Sequence, residues 1–172
     1  MKRPLLASLA ISGVALGVAG CSGESAPPAP PAPSPEASTA PAADMTCDSI
    51  MRPSFVEQLK DLGWVAQPAQ FRIGEHVFDG GIQCVWGDES GLDSGQMYGW
   101  APITDDDAAE MQTYLEDNGW VHSEDGEYVY LSEDPTLGYA ASEDEVITYQ
   151  FAPGWVALAD TKSGLALVTW RG

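Results

Sequence analysis

Three cysteines are the residues whose chemistry the sequence defines best. Cys21 ends an apolar run near the start of the chain, whereas Cys47 and Cys84 lie in its aromatic-rich later part. A thiol can be acylated, form a disulfide, bind a metal or act as a nucleophile. No CxxC pair is present, and two cysteines without a second pair or clustered histidines do not build a zinc site. Acylation and a disulfide are therefore the favoured roles.

The residues before Cys21 have the composition of a secretory signal. Lys2 and Arg3 form a short basic head, and residues 5–19 contain only apolar side chains, Gly and Ser. An uncleaved membrane helix is the alternative, but it normally needs roughly 20 apolar residues. This run is shorter and is interrupted by Gly13 and Gly17. We therefore predict that residues 1–20 are a cleaved signal peptide.

The end of this run resembles a bacterial lipobox. It consists of Val18-Ala19-Gly20-Cys21, with Val18 at the position where Leu is commonest. The resemblance implies cleavage before Cys21 and a diacylglyceryl thioether on its sulfur. Two or more acyl chains hold a protein stably at a membrane, which one chain does not. The predicted location is the extracytoplasmic face of the cell membrane, with the lipid on Cys21 as the membrane contact.

A disulfide between Cys47 and Cys84 follows from this location. Outside the cytoplasm the environment is oxidising, and with Cys21 acylated these two thiols are the ones that remain. Closing the loop between them is worth roughly 4 kcal/mol in the loop-entropy model, less any strain.

Recognised catalytic patterns are absent from the sequence. His76 and His122 are far apart and stand in no HExxH, HxH or nucleophile-elbow setting, and no GxSxG or SxxK motif occurs. As exposed loop residues the histidines need no function. A glycosidase needs only two opposed carboxylates, and 26 acidic residues leave that chemistry open. We expect no catalytic residues and no cofactor, although activity as a small envelope hydrolase stays an alternative.

Two acidic turns contain the oxygen ligands that calcium prefers. Asp88, Glu89 and Asp93 surround Ser90-Gly91, and residues 124–127 form a second acidic turn. Neither fits the twelve-residue EF-hand pattern, and acidic turns between strands are usually only solvated. We therefore assign no metal site to them.

Tryptophans offer a different function. All six lie beyond residue 60, and an exposed row of such rings would suit a saccharide or an aromatic ligand. Core filling is the competing interpretation, because most of them stand beside apolar strand residues. They are Trp64, Trp86, Trp100, Trp120, Trp155 and Trp170.

The charge excludes nucleic acid as a partner. The chain has 26 acidic and 7 basic residues and a formal charge of −19, so it repels phosphate backbones. Removing residues 1–20 takes away Lys2 and Arg3 but no acid, so five cations and 26 acids remain and the charge becomes −21. An anionic membrane surface should repel such a domain, which leaves the lipid as its only attraction to the membrane.

Composition divides the remaining chain into two parts. Residues 21–44 begin with the lipidated cysteine and continue as a stretch rich in Ala and Pro that cannot bury a core. As polyproline II at about 3.1 Å per residue, it could hold a domain up to roughly 70 Å from a bilayer. Residues 45–172 are the predicted single globular domain.

Periodicity predicts two helices in this domain. The first runs from Pro53 to Leu62 with apolar residues at three- and four-residue spacing and Gly63 as a left-handed cap. The second starts at Thr104 as N-cap, has three aspartates in its first turn, and ends at Gly119.

Short β-branched and aromatic segments between turns predict the strands. They are residues 81–86, 96–101, 128–131, 137–141, 146–151, 155–160 and 165–170, of which the last three form a meander. The predicted fold class is α+β, a curved antiparallel sheet with two helices on one face.

Gly-Trp-Val follows both helices, at residues 63–65 and 119–121. This recurrence suggests two duplicated α-β-β units that share one sheet around a pseudo-twofold axis. Chance, or a tryptophan that packs back on its own helix, would give the same pattern.

Taken together, the lipobox, the Ala/Pro stretch, Cys47 ahead of a short helix and Cys84-Val85-Trp86 resemble small secreted lipoproteins of high-GC Gram-positive bacteria. The resemblance implies a lipid-anchored, disulfide-bonded domain outside the membrane and transfers no catalytic residues. The leading hypothesis is a non-catalytic cell-envelope lipoprotein that binds a saccharide, another ligand or an envelope protein. The alternatives are a small envelope hydrolase, an enzyme inhibitor, or an accessory subunit of a transporter or sensor.

Overall fold

A seven-stranded antiparallel sheet organises the described part of the chain. The computed structural model describes residues 44–89, 91–137 and 144–171. Its helices are α1 (Pro53–Asp61), α2 (Asp105–Asp117) and a short 3-10 helix, Ser163–Leu167. The strands are β1 (Val65–Ile73), β2 (His76–Asp88), β3 (Gly91–Pro102), β4 (Val121–Asp125), β5 (Tyr128–Ser132), β6 (Thr148–Ala152) and β7 (Trp155–Ala159). The α+β class is confirmed, whereas the predicted signal peptide, Cys21 and residues 22–43 lie outside the described residues.

Both helices end as their glycines predict. The glycine beyond each helix has a positive φ, +78° at Gly63 and +87° at Gly119, which costs glycine less than any other residue. The next residue in each case, Trp64 or Trp120, donates its backbone N–H to a carbonyl of the last helical turn at 3.0 Å. These bonds satisfy carbonyls that a helix end would otherwise leave without a partner.

At its other end, α2 has the predicted cap. The hydroxyl oxygen of Thr104 accepts a hydrogen bond from the backbone N–H of Asp107 at 3.1 Å. The first turn contains three aspartates, whose charges are favourable at the positive end of the helix dipole.

The strands lie side by side in the order β1-β2-β3-β7-β6-β5-β4, and every neighbouring pair is antiparallel. The last strand in sequence therefore occupies the centre, with three strands on each side. The two edge strands, β1 and β4, are those that directly follow α1 and α2.

The sheet separates two apolar cores. In β7, Val156 packs in a core with Met111 of α2, whereas the adjacent Ala157 packs in a core with Val56 of α1. Because successive strand residues point to opposite faces, the helices cover opposite faces of the sheet. The prediction of two helices on one face is wrong. Burial on both faces explains why β7 is a continuous apolar run without polar alternation, and the polar residues Thr148 and Gln150 of β6 are buried as well.

The disulfide predicted between Cys47 and Cys84 is present. It joins the segment before α1 to β2, with the two Cα atoms 5.7 Å apart and 37 positions apart in sequence. The segment before α1 also pairs with the C-terminal segment, since Thr169 donates its N–H to the carbonyl of Ile50 at 2.9 Å. Both segments contribute buried side chains to the α1 core.

Three strand predictions differ from the structure. Residues 163–167 form a 3-10 helix, not the start of a strand at 165–170, because the hydroxyl of Thr161 accepts the N–H of Gly164 at 3.0 Å and starts a helical turn. Val168 then forms one isolated bridge with Met51. β1 and β4 were not predicted as strands. Of the segment 137–141, Leu137 is in a turn and the rest lies outside the described residues.

Candidate ligand-binding surface

The six tryptophans divide between core and surface. Trp86 and Trp100 are buried, which confirms core filling for these two. The other four are half-buried: Trp64, Trp120, Trp155 and Trp170. A ligand-binding role is therefore open to Trp155, which packs against the core of α1 with part of its side chain exposed.

Three rings and two cations form a continuous line across this part of the sheet. The ring centroids of Tyr130 and Tyr128 are 6.5 Å apart, and those of Tyr128 and Trp155 are 6.1 Å apart. At one end, the ammonium of Lys162 lies 4.6 Å from the centroid of Tyr130. At the other, the guanidinium of Arg171 lies 4.3 Å from the ring of Trp155. We call these five residues the aromatic row.

Strand alternation positions the aromatic row on the α1 face. Tyr128 and Tyr130 are two positions apart in β5, so they point to the same side, while Leu131 points into the α2 core. Ala152 of β6 is paired with Trp155, so its small buried side chain lies beside that ring on the same face. α1 packs over β2 and β3 on this face, the 3-10 helix contacts β7, and the rings of β5 contact Trp155 and Lys162.

Polar side chains adjoin the rings. The amide of Gln150 donates to the hydroxyl of Tyr130 at 3.3 Å, and Lys162 donates to the hydroxyl of Ser123 at 3.3 Å. Burial, with a smaller effect of the Asp125 carboxylate, raises the pKa of Tyr130, so this phenol stays protonated at neutral pH. The surface therefore combines flat apolar rings with neutral hydrogen-bonding groups, which is the composition of a small-molecule binding site.

The opposite face has an acidic groove. Its volume is about 630 Å³, and its apolar wall includes Trp120 and Ile147. Its acidic residues are Glu133, Asp134, Glu145 and Asp160. Burial raises the pKa of Asp160, although backbone hydrogen bonds oppose the shift. A carboxyl group that retains its proton more readily is suited to general-acid chemistry.

Both histidines are in strands, not in the loops that the sequence suggested. His76 opens β2 and packs edge-on against Tyr114 of α2, with ring centroids 5.2 Å apart. His122 of β4 binds Glu116 of α2 and lies 3.4 Å from the carboxylate of Glu124. These contacts join the α2 side of the sheet to its helix and leave the aromatic row without a histidine among the described residues.

The acidic turns do not gather metal ligands in the described structure. Asp88 and Glu89 close β2, whereas the side chain of Asp93 lies outside the described residues. Of residues 124–127, Glu124 and Asp125 end β4, and Gly126 and Glu127 form the turn to β5, where Gly126 has a φ of +63°. No group of three His, Cys, Asp or Glu side chains placed to hold a metal ion occurs in the part of the chain that the structure describes.

The chain matches no protein-family model, no curated protein and no solved structure. In residues 44–89, 91–137 and 144–171, no helix has the length and apolar composition that crossing a membrane requires.

Sequence reasoning identified Trp155 as a candidate but missed the other members of the aromatic row. The signal was present for the tyrosines, because Tyr128-Val-Tyr130 alternates within a predicted strand and must place both rings on one face. Lys162 and Arg171 gave no such signal. They reach the rings through the turn after β7 and through the C-terminal segment, and both paths depend on tertiary structure.

Proposed function

We propose that this chain is a lipid-anchored protein of the cell envelope whose folded domain binds a saccharide on the aromatic row without catalysing a reaction. The signal-like residues 1–20, the lipobox-like Val18-Ala19-Gly20-Cys21 and the Pro-rich residues 22–44 support the location. A disulfide in the domain suits an oxidising compartment. The resemblance to small secreted lipoproteins of high-GC Gram-positive bacteria agrees with this proposal.

The observation that supports binding is the aromatic row itself. Its three rings are half-buried on the face of the sheet that α1 covers only in part, in a domain whose other large apolar side chains mostly fill two cores. A sugar ring presents an apolar face to an aromatic ring and hydroxyl groups at its edge. Ser123 and the phenol of Tyr130 are donors and acceptors for such hydroxyls, and the buried amide of Gln150 donates to that phenol.

The test compares one tyrosine inside the row with one outside it. Tyr128→Ala removes the middle ring, and Tyr114→Ala removes a half-buried ring of α2 on the opposite face. We expect Tyr128→Ala to abolish the change in tryptophan fluorescence that a binding saccharide causes, and Tyr114→Ala to preserve it. A panel of neutral and acidic oligosaccharides that leaves the fluorescence of the unmodified protein unchanged would falsify saccharide binding.

The membrane anchor has a separate test. Cys21→Ala removes the acceptor thiol, so the protein should leave the membrane fraction or accumulate unprocessed. Intact mass of the unmodified protein should show the added diacylglyceryl group. Membrane retention and an unchanged mass after Cys21→Ala would contradict lipidation.

A second candidate function is hydrolysis in the acidic groove, because four carboxylates line it and burial raises the pKa of one of them, Asp160. Two opposed carboxylates are sufficient for glycoside hydrolysis when one of them acts as a general acid. Asp160→Asn should then abolish turnover of a chromogenic glycoside while Tyr128→Ala preserves it. If Tyr128→Ala abolishes turnover and Asp160→Asn preserves it, the activity belongs to the aromatic row and not to the acidic groove.

We also propose that the domain contains a duplicated α-β-β-β unit, α1-β1-β2-β3 and α2-β4-β5-β6. The matching helix caps, the edge position of β1 and β4, and helices on opposite faces support it. Equivalent strands run in the same direction, as a twofold axis along β7 requires. In an experimental structure, superposing one unit on the other should require a rotation near 180°. Any other rotation would contradict the duplication.

A further inference from the structure

The two cations of the aromatic row are unusual in this acidic domain. Five basic residues follow residue 20, and two of them, Lys162 and Arg171, lie over rings of the row. Among the described residues, neither forms an ion pair with a carboxylate, although acids outnumber bases several-fold. Their positive charge is therefore available to a ligand.

We infer that the ligand of the aromatic row is a glycan with carboxylate groups, and that Arg171 binds a carboxylate. This inference rests on the saccharide binding proposed above and adds the charge of the ligand. Sugar rings would lie against Tyr128 and Trp155, and an acidic substituent would meet the guanidinium at the end of the row. A guanidinium presents its N–H donors in a fork that matches a carboxylate.

Arg171 is held in position for this contact. Its Nη1 donates to the carbonyl of Val168 at 3.1 Å and to that of Trp170, and its plane lies over Trp155. Both of these hydrogen bonds come from one nitrogen. The remaining N–H donors of the side chain are left for a ligand, and the residue is exposed.

The Lys162 end differs in its charge. Lys162 lines a cavity of about 280 Å³ together with Asp134 and Asp144, and Asp125 lies near Tyr130. These carboxylates offset the ammonium, so an anionic substituent gains less there. Lys162 is therefore expected to contribute a hydrogen bond to a hydroxyl rather than to neutralise a carboxylate.

Net charge does not prevent this binding. The acidic domain repels an anion at long range, but the Debye length at physiological ionic strength is about 8 Å. At contact distance, the charged groups of the row determine the interaction, and a basic peptide would meet two cations there.

The test uses purified full-length protein and isothermal titration calorimetry. The probes are a short oligogalacturonate and its methyl ester, which keeps the sugar chain but lacks the charge. The ester should bind about tenfold more weakly, or by about 1.4 kcal/mol, because it cannot accept a charge-assisted hydrogen bond from Arg171. Arg171→Gln should weaken binding of the acid about tenfold and leave binding of the ester unchanged. Lys162→Gln should weaken binding of the acid less than Arg171→Gln does. The loss of affinity for the acid in Arg171→Lys should lie between the losses in these two variants.

Arg72→Gln is the matched control, because it removes one positive charge from β1 at the far edge of the sheet. It should leave both affinities unchanged. Equal affinity for acid and ester, or an equal loss in Arg72→Gln and Arg171→Gln, would overturn the inference while leaving saccharide binding in place. The inference would also be overturned if neither probe binds, or if oligolysine binds instead. In either case, binding of a neutral saccharide would show that the proposed function still holds.

Discussion

The two halves of the α1 face use the same kinds of side chain for opposite purposes. In one half, Trp86 and Trp100 pack in a core with α1 and with the described segments before α1 and after β7, and only 1% and 4% of their surface is exposed. In the other half, Tyr128, Tyr130 and Trp155 are half-buried and contact one another and two cations. The type of residue therefore does not determine whether a ring stabilises the fold or is available to a ligand. The element that covers it does.

The length of α1 explains why the covering is incomplete. Its nine residues span about 14 Å at 1.5 Å per residue. Even laid across the strands, a helix of that length covers about three of them at the usual spacing of 4.8 Å. The sheet has seven strands in the described residues, so α1 is too short to cover this face by itself.

The largest expected effect is a difference in the free energy of unfolding between a variant in the covered half of the α1 face and a variant in the aromatic row. Trp86→Ala removes a buried ring and should lower the free energy of unfolding by about 3–5 kcal/mol. Trp155→Ala removes a half-buried ring and should cost about 1 kcal/mol while abolishing saccharide binding. Urea unfolding followed by far-UV circular dichroism measures both. Equal losses in the two variants would show that the row belongs to the core.

A smaller effect should come from the disulfide that fastens the covered half. Replacing Cys47 and Cys84 together with serine should cost about 2–4 kcal/mol in the same measurement. Cys47 and Cys84 are buried inside the α1 core, whereas Tyr130 and Trp155 only pack against it and stay partly exposed, so the folded double variant should keep its affinity for saccharide. If affinity falls with stability, the two halves are not independent.

Sequence reasoning predicted the interior of this fold better than its edges. Both helices were placed closely because their caps are local: Thr104 at one start, Gly63 and Gly119 at the ends. The edge strands β1 and β4 were missed because their exposed residues show no clear alternation of apolar and polar side chains.

Local sequence patterns also could not predict which helix covers which face of the sheet. α1 and α2 each have one apolar stripe, but no stripe specifies which side of a distant strand it meets. For the same reason, only part of the aromatic row could be predicted from the sequence. Tyr128, Tyr130 and Trp155 lie in predicted strands, whereas Arg171 joins them only because the C-terminal segment pairs with the segment before α1.

A third prediction tests whether the α2 face is separate from the row. Thr104→Ala removes the hydroxyl that accepts the N–H of Asp107 and should destabilise the domain by about 1 kcal/mol. Thr104→Ser keeps the hydroxyl and should stay close to the unmodified protein. Saccharide affinity should be the same in all three proteins, since α2 packs on the opposite face. A change in affinity in Thr104→Ala alone would mean that the two faces are coupled.

The smallest effect concerns pH. The hydrogen bond to Glu116, with a further contribution from Glu124, raises the pKa of His122 above its ordinary value, and desolvation opposes this only in part. A raised pKa in the folded state means that the contribution to stability is complete below the unfolded pKa of about 6.5 and is lost as the pH rises through the folded value. His122 is exposed, so the contribution should stay within about 1 kcal/mol.

His122→Gln should therefore be less stable than the unmodified protein at pH 5 and equal to it at pH 9, as measured by urea unfolding at each pH. His76→Gln is the control, because His76 packs against Tyr114 and forms no ion pair with a described carboxylate. A difference for His122→Gln that grows with pH would reverse the assigned direction. The contact that titrates joins β4 to α2, and no described histidine adjoins the aromatic row. Saccharide affinity should therefore not follow this change in stability. A parallel loss of affinity would show that the edge strand transmits strain from one face of the sheet to the other.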